Sequence, residues 1–278
     1  MMIPDTLVKR LQQAQHIVIF TGAGMSAQSG IATFRDPDSS GMWGRYNPAD
    51  VATPQAFKAN PQGVWDWYTA RAEGIRNAEP NAGHHAIAEL SRQKRVTVVT
   101  QNVDGLHQRS GVDDVLELHG NILRLKGFQD HDAIGDGVAA IMCPVCCALA
   151  PSDSVDDAYA SPDDLKKFQL LAGAVPRCPC CNVLLRPDVV MFGEQLDPAV
   201  LDAAVAAVES CDAVFCVGAS LEVEPAASLP FMALNCGSVI VEVNPHQTAL
   251  SQLADLYVAG GAAQVLPDLF KQIWGAKT

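Results

Sequence analysis

Four polar side chains, Gln101, Asn102, Asp104 and His119, follow directly on two short apolar runs, "VTVV" (96–99) and "VLEL" (115–118). Such runs read as buried parallel strands, and in open α/β sheets ligands bind beyond the carboxyl ends of strands. Each residue alone has an ordinary reading: Asn102 or Asp104 could cap a helix, and His119 could hydrogen-bond within a turn. Four of them at adjacent strand ends, facing a glycine loop, point to a ligand instead. The loop is "HIVIFTGAGMSAQSG", where a strand runs straight into Gly22-Ala23-Gly24-Met25-Ser26-Ala27. A Gly-x-Gly-x-x-Ala pattern lets backbone approach a pyrophosphate at the amide-rich start of a helix, although a bare structural turn can also use it. The acidic residue that usually holds a ribose about 20 residues further on is missing. "FRDPDSSGMWGRYNP" stands there, so the ribose end of a nucleotide should face that loop. His84, His85, His107 and His131 have no comparable setting and read as ordinary residues.

Two further groups carry chemistry. Cys143-Pro-Val-Cys146 and Cys178-Pro-Cys-Cys181 are Cys-x-x-Cys knuckles suited to one tetrahedral zinc ion held by four thiolates. Four protein ligands leave no open position, so such a zinc would be structural; redox cysteines are the alternative. The 31 residues between the knuckles exceed the usual spacing, which makes the acidic stretch "PSDSVDDAYASPDD" a loop between them. Cys147 and Cys180 leave open which sulfurs bind. The Cys-x-x-Cys registers are preferred because Cys181 is followed by Asn182, which tolerates a left-handed turn. The other group is in "VWDWYTAR" (64–71), where Val64, Tyr68, Arg71 and Ile75 share one face of a helix. An unpaired guanidinium is costly to bury, so Arg71 on that face calls for a partner. A surface ion pair with Glu73 or Asp66 would be the bland answer.

These groups need elements to place them. Apolar β-branched runs at 16–20, 96–99, 115–118, 213–218 and 238–243 alternate with helical patterns that include 81–92, 198–209 and 225–234. That rhythm indicates an α/β fold, a Rossmann-like parallel sheet with helices on both faces. Residues 1–36, 81–123 and 187–278 would form it. Residues 37–80, rich in Pro, Trp and turns with short helices, and 124–186, with the cysteines, would form a smaller inserted helical and zinc-binding module.

With 49% apolar residues and a mean hydropathy of +0.10 the chain is globular, and no apolar run approaches the ~20 residues of a membrane span. "MMIPDTLVKRLQQAQ" reads as an amphipathic helix rather than a signal peptide, so a cytoplasmic location is expected. Nineteen basic against 31 acidic residues give a net charge of −12, which argues against nucleic-acid binding and would suit a lysine-rich protein segment.

In combination, "GAGMSAQSGIATFRD", "TQNVDGLHQRSG", "LELHGN", the cysteine knuckles, "LLRPDVVMFGE", "GASLEVEPAA" and "VEVNP" resemble, in order, the sirtuin (Sir2) family of NAD-dependent protein deacylases. The resemblance implies NAD and an acylated lysine in a cleft between a large Rossmann-like domain and a small zinc module. Gly22, Ala23, Gly24, Ser26, Phe34 and Arg35 would line the NAD pocket. Gln101, Asn102, Val103 and Asp104 would surround the nicotinamide ribose, and Gly218, Ser220, Asn244 and Ala262 would hold the adenosine half. His119 matches the general base, acting with Asn102 and Asp104. Met191, Phe192 and Gly193, with Glu222 and Val223, lie in the segments between which the substrate peptide would pair as a strand. Ala219 departs from the hydroxyl residue usual in relatives, with an expected small loss of cofactor affinity.

The family's chemistry has the acyl oxygen displace nicotinamide, after which a base-activated ribose hydroxyl takes the acyl group, releasing O-acyl-ADP-ribose. Tyr68 and Arg71 match the Tyr-x-x-Arg pair of the subclass that removes succinyl and malonyl groups, and Ala52 stands where that subclass keeps a small residue. The resemblance leaves a plain deacetylase or an ADP-ribosyltransferase as alternatives within the family. A zinc-ribbon interaction protein with a vestigial nucleotide pocket is the alternative outside it.

Overall fold

Strands β1 (His16–Thr21), β2 (Arg95–Thr100), β3 (Val115–Glu117), β8 (Ala213–Val217), β9 (Val239–Asn244) and β10 (Leu256–Ala259) form one sheet in the order β10-β9-β8-β1-β2-β3. Every pairing in it is parallel. The computed structural model describes residues 3–33, 47–129, 141–143, 145–147, 149–150, 170 and 172–275. From β1 the chain winds outward through β2 to β3, then returns to β8 on the other side of β1. The strand order therefore reverses between β1 and β8, the switch point at which doubly wound sheets bind ligands.

The sequence explains why these strands lie at the centre. All six residues of β1 and all five of β8 are buried, so both faces must be apolar. Helices α1 (Asp5–Gln13), α5 (Ala82–Ser91) and α9 (Ala262–Trp274) supply the cover: Leu11, Ile87, Leu266, Leu269 and Ile273 join Ile17, Ile19, Val98, Phe215 and Val241 in one core. Asn81 starts α5 with a capping box, its side chain accepting from Gly83 and His84 amides while the His84 ring accepts from the Asn81 amide. Helices α7 (Pro198–Ser210) and α8 (Leu229–Asn235) pack on each other, and Asp197 caps α7.

The described residues fall into two compact units, one within 3–33, 78–119 and 195–275, the other within 47–77 and 120–194. In the second, α2 (Pro48–Val51), α3 (Pro54–Ala59) and α4 (Pro61–Asn77) accompany the antiparallel pair β4 (Gly120–Gly127) and β7 (Leu185–Val189). A small antiparallel pair, β5 (Ile141–Met142) and β6 (Leu149–Ala150), adjoins the cysteines. Helix α4 packs on both β4 and β7.

Four elements differ from, or add to, the sequence-based expectation. Residues 37–80 are expected to hold short helices, with Val64 to Ile75 along one helix face, and α4 extends that helix to 17 residues. It buries Val64, Trp65, Trp67, Tyr68, Ala72 and Ile75, a face wide enough to stabilise a long helix. The expected helix at 225–234 begins as a 3₁₀ turn, Ala226–Ser228, before α8. β10 and α9 also complete the sheet and core, although no motif marked them. One four-residue helix, α6 (Leu106–Arg109), follows the polar loop after β2. No helix of the described residues is long and apolar enough to cross a membrane.

Phe215 is fully buried and meets Phe270 edge-on at 5.3 Å and Trp274 at 5.9 Å. Phe215→Ala should lower the unfolding free energy, measured by urea denaturation, by about 3–5 kcal/mol. A loss below about 1 kcal/mol would mean that the core can collapse around the missing ring.

Candidate functional site

The turns after β1 and β8 are pressed together. A Cβ on Gly22 would lie 2.7 Å from Ala219 Cα, and one on Gly24 2.7 Å from Gly218 Cα. Gly218 itself has φ +60, with its Cβ position 2.4 Å from the Met25 amide nitrogen. Hydrogen bonds from the Gly22 amide to Val217 O (3.1 Å) and from the Gly24 amide to Gly218 O (2.9 Å) fasten the contact. The glycines are thus required by the meeting of two backbones, whatever ligand lies beyond. The chain then makes two short 3₁₀ turns, Ala23–Met25 and Ala27–Ser29, where the pyrophosphate pattern anticipates a helix. Gln28, which the sequence reading passed over, reaches from the second turn to accept from the Ala263 amide at the start of α9 (2.8 Å).

A hydrogen-bonded network joins this loop to the residues after β2. Asn102 donates its Nδ2 to Gly22 O (3.0 Å) and Ser26 Oγ (3.3 Å). Ser26 in turn donates to Asp104 Oδ2 (2.7 Å), whose other oxygen accepts from the Leu106 amide (2.9 Å). Asp104 is buried, and its two oxygens hold the loop through Ser26 and Leu106. Gln101 and Val103 are half-buried beside it.

Beneath lies a layer with no sequence signature: Thr21 donates to Thr100 (2.8 Å), which also accepts the Asn102 amide (3.0 Å). With the Thr21 proton so used, His107 Nε2 must donate to Thr21 (3.1 Å). His107 is fully buried and packs on the ring of buried His84 at 4.9 Å. Burial, chiefly, lowers the two pKa values to about 3 and about 4, so both rings are neutral and act as polar packing. Both had been read as ordinary residues; a lone histidine in a sequence carries no mark of burial.

His119 Nδ1 lies 3.0 Å from Gln101 O. A carbonyl only accepts, so Nδ1 carries the proton and Nε2 keeps its lone pair. Burial lowers the His119 pKa below its ordinary 6.5, against an opposing pull from the Gln101 carbonyl. The neutral form suits a base.

On the other flank, Asn244 donates to Ala219 O (2.8 Å) and accepts from the Tyr257 hydroxyl (3.0 Å), tying the ends of β8 and β9 together. Ser220 is exposed. Ala262 is buried at the first turn of α9, its backbone 3.0 Å from where Gly83 would carry a Cβ. Ala262 therefore closes the packing of α5 on α9. Phe34 and Arg35, and the loop expected to face the ribose, lie outside the described residues.

In the second unit, the Sγ atoms of Cys143, Cys146, Cys178 and Cys181 all lie within 4.8 Å of one another. Cys143 and Cys178 are 3.9 Å apart and Cys146 and Cys181 3.5 Å, close to the ~3.8 Å that tetrahedral bonds of about 2.3 Å to zinc require. Each knuckle closes with the same turn: the Cys147 amide donates to Cys143 O and the Asn182 amide to Cys178 O, both at 2.9 Å. Cys147 and Asn182 take positive φ of 53° and 59°. Burial pushes the Cys143 thiol up, yet hydrogen bonds from the Cys146 and Val145 amides and from the Cys181 and Cys146 thiols together outweigh it and bring the pKa down to about 7, which favours a thiolate. The donor set and spacing fit zinc. Cys147 is exposed and outside the cluster, and His131 and the acidic loop lie outside the described residues.

Also in this unit, Tyr68 is buried on α4 with its ring edge-on to Trp67 at 4.6 Å. Arg71, one turn on, is half-buried, its guanidinium 5.8 Å from the centre of the Trp67 ring. Asp66, a possible partner on sequence grounds, accepts from Gln62 (2.8 Å). Burial raises the Tyr68 pKa to about 12, with Arg186 and Arg71 pulling against it and Glu194 adding to it. Ala52 is buried, and its carbonyl accepts from the Phe192 amide (2.9 Å), joining it to the Met191–Gly193 turn. Met191 is buried, Phe192 and Gly193 are exposed, and Gly193 has φ +90. Glu222 and Val223, in the first unit, are exposed.

A profile of the Sir2 family matches residues 22–225. The chain is 38% identical over 270 residues to NAD-dependent protein deacylase 1 of Archaeoglobus fulgidus, covering 97% of each chain. Among solved structures, a Sir2 homologue–NAD complex aligns with a TM-score of 0.78 at 38% identity, over 98% of this chain and 94% of that one. A Sir2–p53 peptide–NAD+ complex aligns with a TM-score of 0.73 at 27% identity, over 98% of both chains.

Cys178→Ser should abolish stoichiometric zinc, measured by mass spectrometry of the purified protein, and speed proteolysis within β4 and β7. Retention of one zinc per chain by the variant would overturn the four-thiolate assignment.

Proposed function

This chain belongs to the Sir2 family, and we propose that it removes acyl groups from protein lysines in an NAD-dependent reaction, with a preference for acyls ending in a carboxylate. The reading also places it in the cytoplasm, where thiols stay reduced and free to bind metal. Bound NAD would supply a ribose carbon made electrophilic by its nicotinamide leaving group. The chain's own groups support the remaining steps. Asn102, fixed by Gly22 and Ser26, and Asp104, fixed by Ser26 and Leu106, would hold the loop against the ribose. Gly218, Ser220 and Asn244 would meet the adenosine half. His119, with Nδ1 pinned to Gln101 O, would take a hydroxyl proton at Nε2. The exposed apolar side chains of Phe192 and Val223 support assigning their two segments to the substrate peptide.

The observation that carries the acyl preference is the pairing of Tyr68 and Arg71 on one face of α4. A phenol whose pKa stands at about 12 stays protonated and can donate to a carboxylate, and the guanidinium can form a charge-assisted pair with the same group. Hydrogen bonds to a charged group contribute ~1.5–3 kcal/mol, roughly a 10- to 150-fold preference over acetyl. A plain deacetylase would use neither group in this way, and an ADP-ribosyltransferase would not need His119 as a base.

Arg71→Met should depress kcat/KM for a succinylated peptide by at least tenfold more than for its acetylated twin. Equal losses would remove Arg71 from acyl recognition. His119→Ala should retain NAD binding, measured calorimetrically, while losing deacylation by about two or more orders of magnitude. Because burial lowers the His119 pKa and the neutral ring is the active form, wild-type kcat/KM should fall on acidification with a midpoint below 6.5. A midpoint above that value, absent from the alanine variant, would contradict the assigned environment.

A further inference from the structure

Behind Tyr68, within the same unit, lies an ion pair with no part in the chemistry so far. Arg186 is only 4% exposed on β7, the strand against which α4 packs. Its guanidinium pairs with Glu194 and donates to Val189 O (2.9 Å), while its buried Nε has no partner among the described residues. The other Glu194 oxygen accepts from the Met191 amide (2.8 Å), and the Glu194 amide donates to Met191 O (3.0 Å). Glu194 thereby closes the Met191–Gly193 turn that the Phe192 amide ties to Ala52. One ion pair, its arginine buried and its glutamate half-buried, thus joins the turn assigned to the peptide with the strand beneath the acyl-binding helix.

We propose that Arg186 and Glu194 are positioning residues that also set acyl selectivity, with Arg186 favouring and Glu194 opposing an anionic acyl group beside Tyr68. The inference rests on the acidic-acyl reading above. Charges that act on the Tyr68 phenol act with the same sign on a carboxylate seated at its hydroxyl. Arg186 stabilises negative charge on the phenol more than Glu194 destabilises it, so the intact pair leaves a net pull toward an anion that Glu194 trims. Burial keeps the Arg186 charge weakly screened, and the half-buried Glu194 carboxylate is screened somewhat more. Neutralising one member unbalances the pair in a direction set by its sign. A salt bridge of purely structural importance would instead loosen the turn and slow every acyl substrate alike.

The test is kcat/KM for succinyl and acetyl forms of one peptide in the wild type, Glu194→Gln, Arg186→Gln, Arg186→Lys and Arg71→Met. The succinyl-to-acetyl ratio should rise about threefold or more in Glu194→Gln and fall about threefold or more in Arg186→Gln. Arg186→Lys, which keeps the charge, should stay near the wild-type ratio. If Arg186→Gln fails to fold, the near-isosteric Glu194→Gln decides alone, and a ratio that does not rise overturns the inference. A ratio that moves the same way in both Gln variants, or in neither, also overturns it. Should Arg71→Met shift the ratio while the Gln variants do not, only this inference fails; should Arg71→Met leave it unchanged, the acyl-pocket reading fails with it.

Discussion

The ends of β1 and β8 meet backbone to backbone, and the polar half of the candidate site is hung from that meeting. No side chain fits between Gly22 or Gly24 and the Gly218–Ala219 turn, so the two strand ends approach closely enough to share hydrogen bonds. Gly22 O then accepts from Asn102, the Ser26 hydroxyl donates to Asp104, and Ala219 O accepts from Asn244. Four separate strand ends are fixed relative to one another at the reversal of strand order. In a doubly wound sheet, that is where a nucleotide has an open crevice to enter.

Burial sets the protonation states as much as geometry sets the positions. His119 is held as a neutral ring with a known tautomer, and Tyr68 as a protonated phenol. The deeper His84–His107 pair is neutral for the same reason and supports the loop without titrating near neutrality. At Cys143 the balance runs the other way, because backbone amides and neighbouring thiols together outweigh burial and favour the charged sulfur, whereas burial holds the Cys181 thiol up, at about 11. One physical cause, desolvation, therefore has different outcomes according to which backbone groups face the side chain.

Much of this was legible in the sequence, for identifiable reasons. Buried parallel strands must be apolar on both faces, so β1, β2, β8 and β9 stood out as β-branched runs, and the polar residues at their ends marked the ligand side. Paired Cys-x-x-Cys spacing constrains four sulfurs strongly enough to be recognised without coordinates. Other features depend on long-range contacts that no local pattern encodes. The Gly22–Gly218 approach spans most of the chain, and the Thr21–Thr100–His107 layer joins three elements through side chains common in any protein. Helix α4 showed in the sequence as the stripe from Val64 to Ile75; its full length, Pro61–Asn77, comes from the width of the face it buries. Arg71 drew attention as a charge on an apolar stripe, whereas Arg186, more deeply buried, did not, because a strand of five residues gives too little periodicity to expose a misfit.

The account stands or falls on whether the groups at the strand ends and the Tyr68–Arg71 pair serve one reaction. The most direct measurement follows the wild-type protein with NAD and one lysine peptide carrying either succinyl or acetyl, quantifying free lysine peptide, nicotinamide and O-acyl-ADP-ribose together. The account predicts equal amounts of the three products and faster turnover of the succinyl peptide. Nicotinamide release without lysine deacylation, or equal turnover of the two peptides, would contradict it.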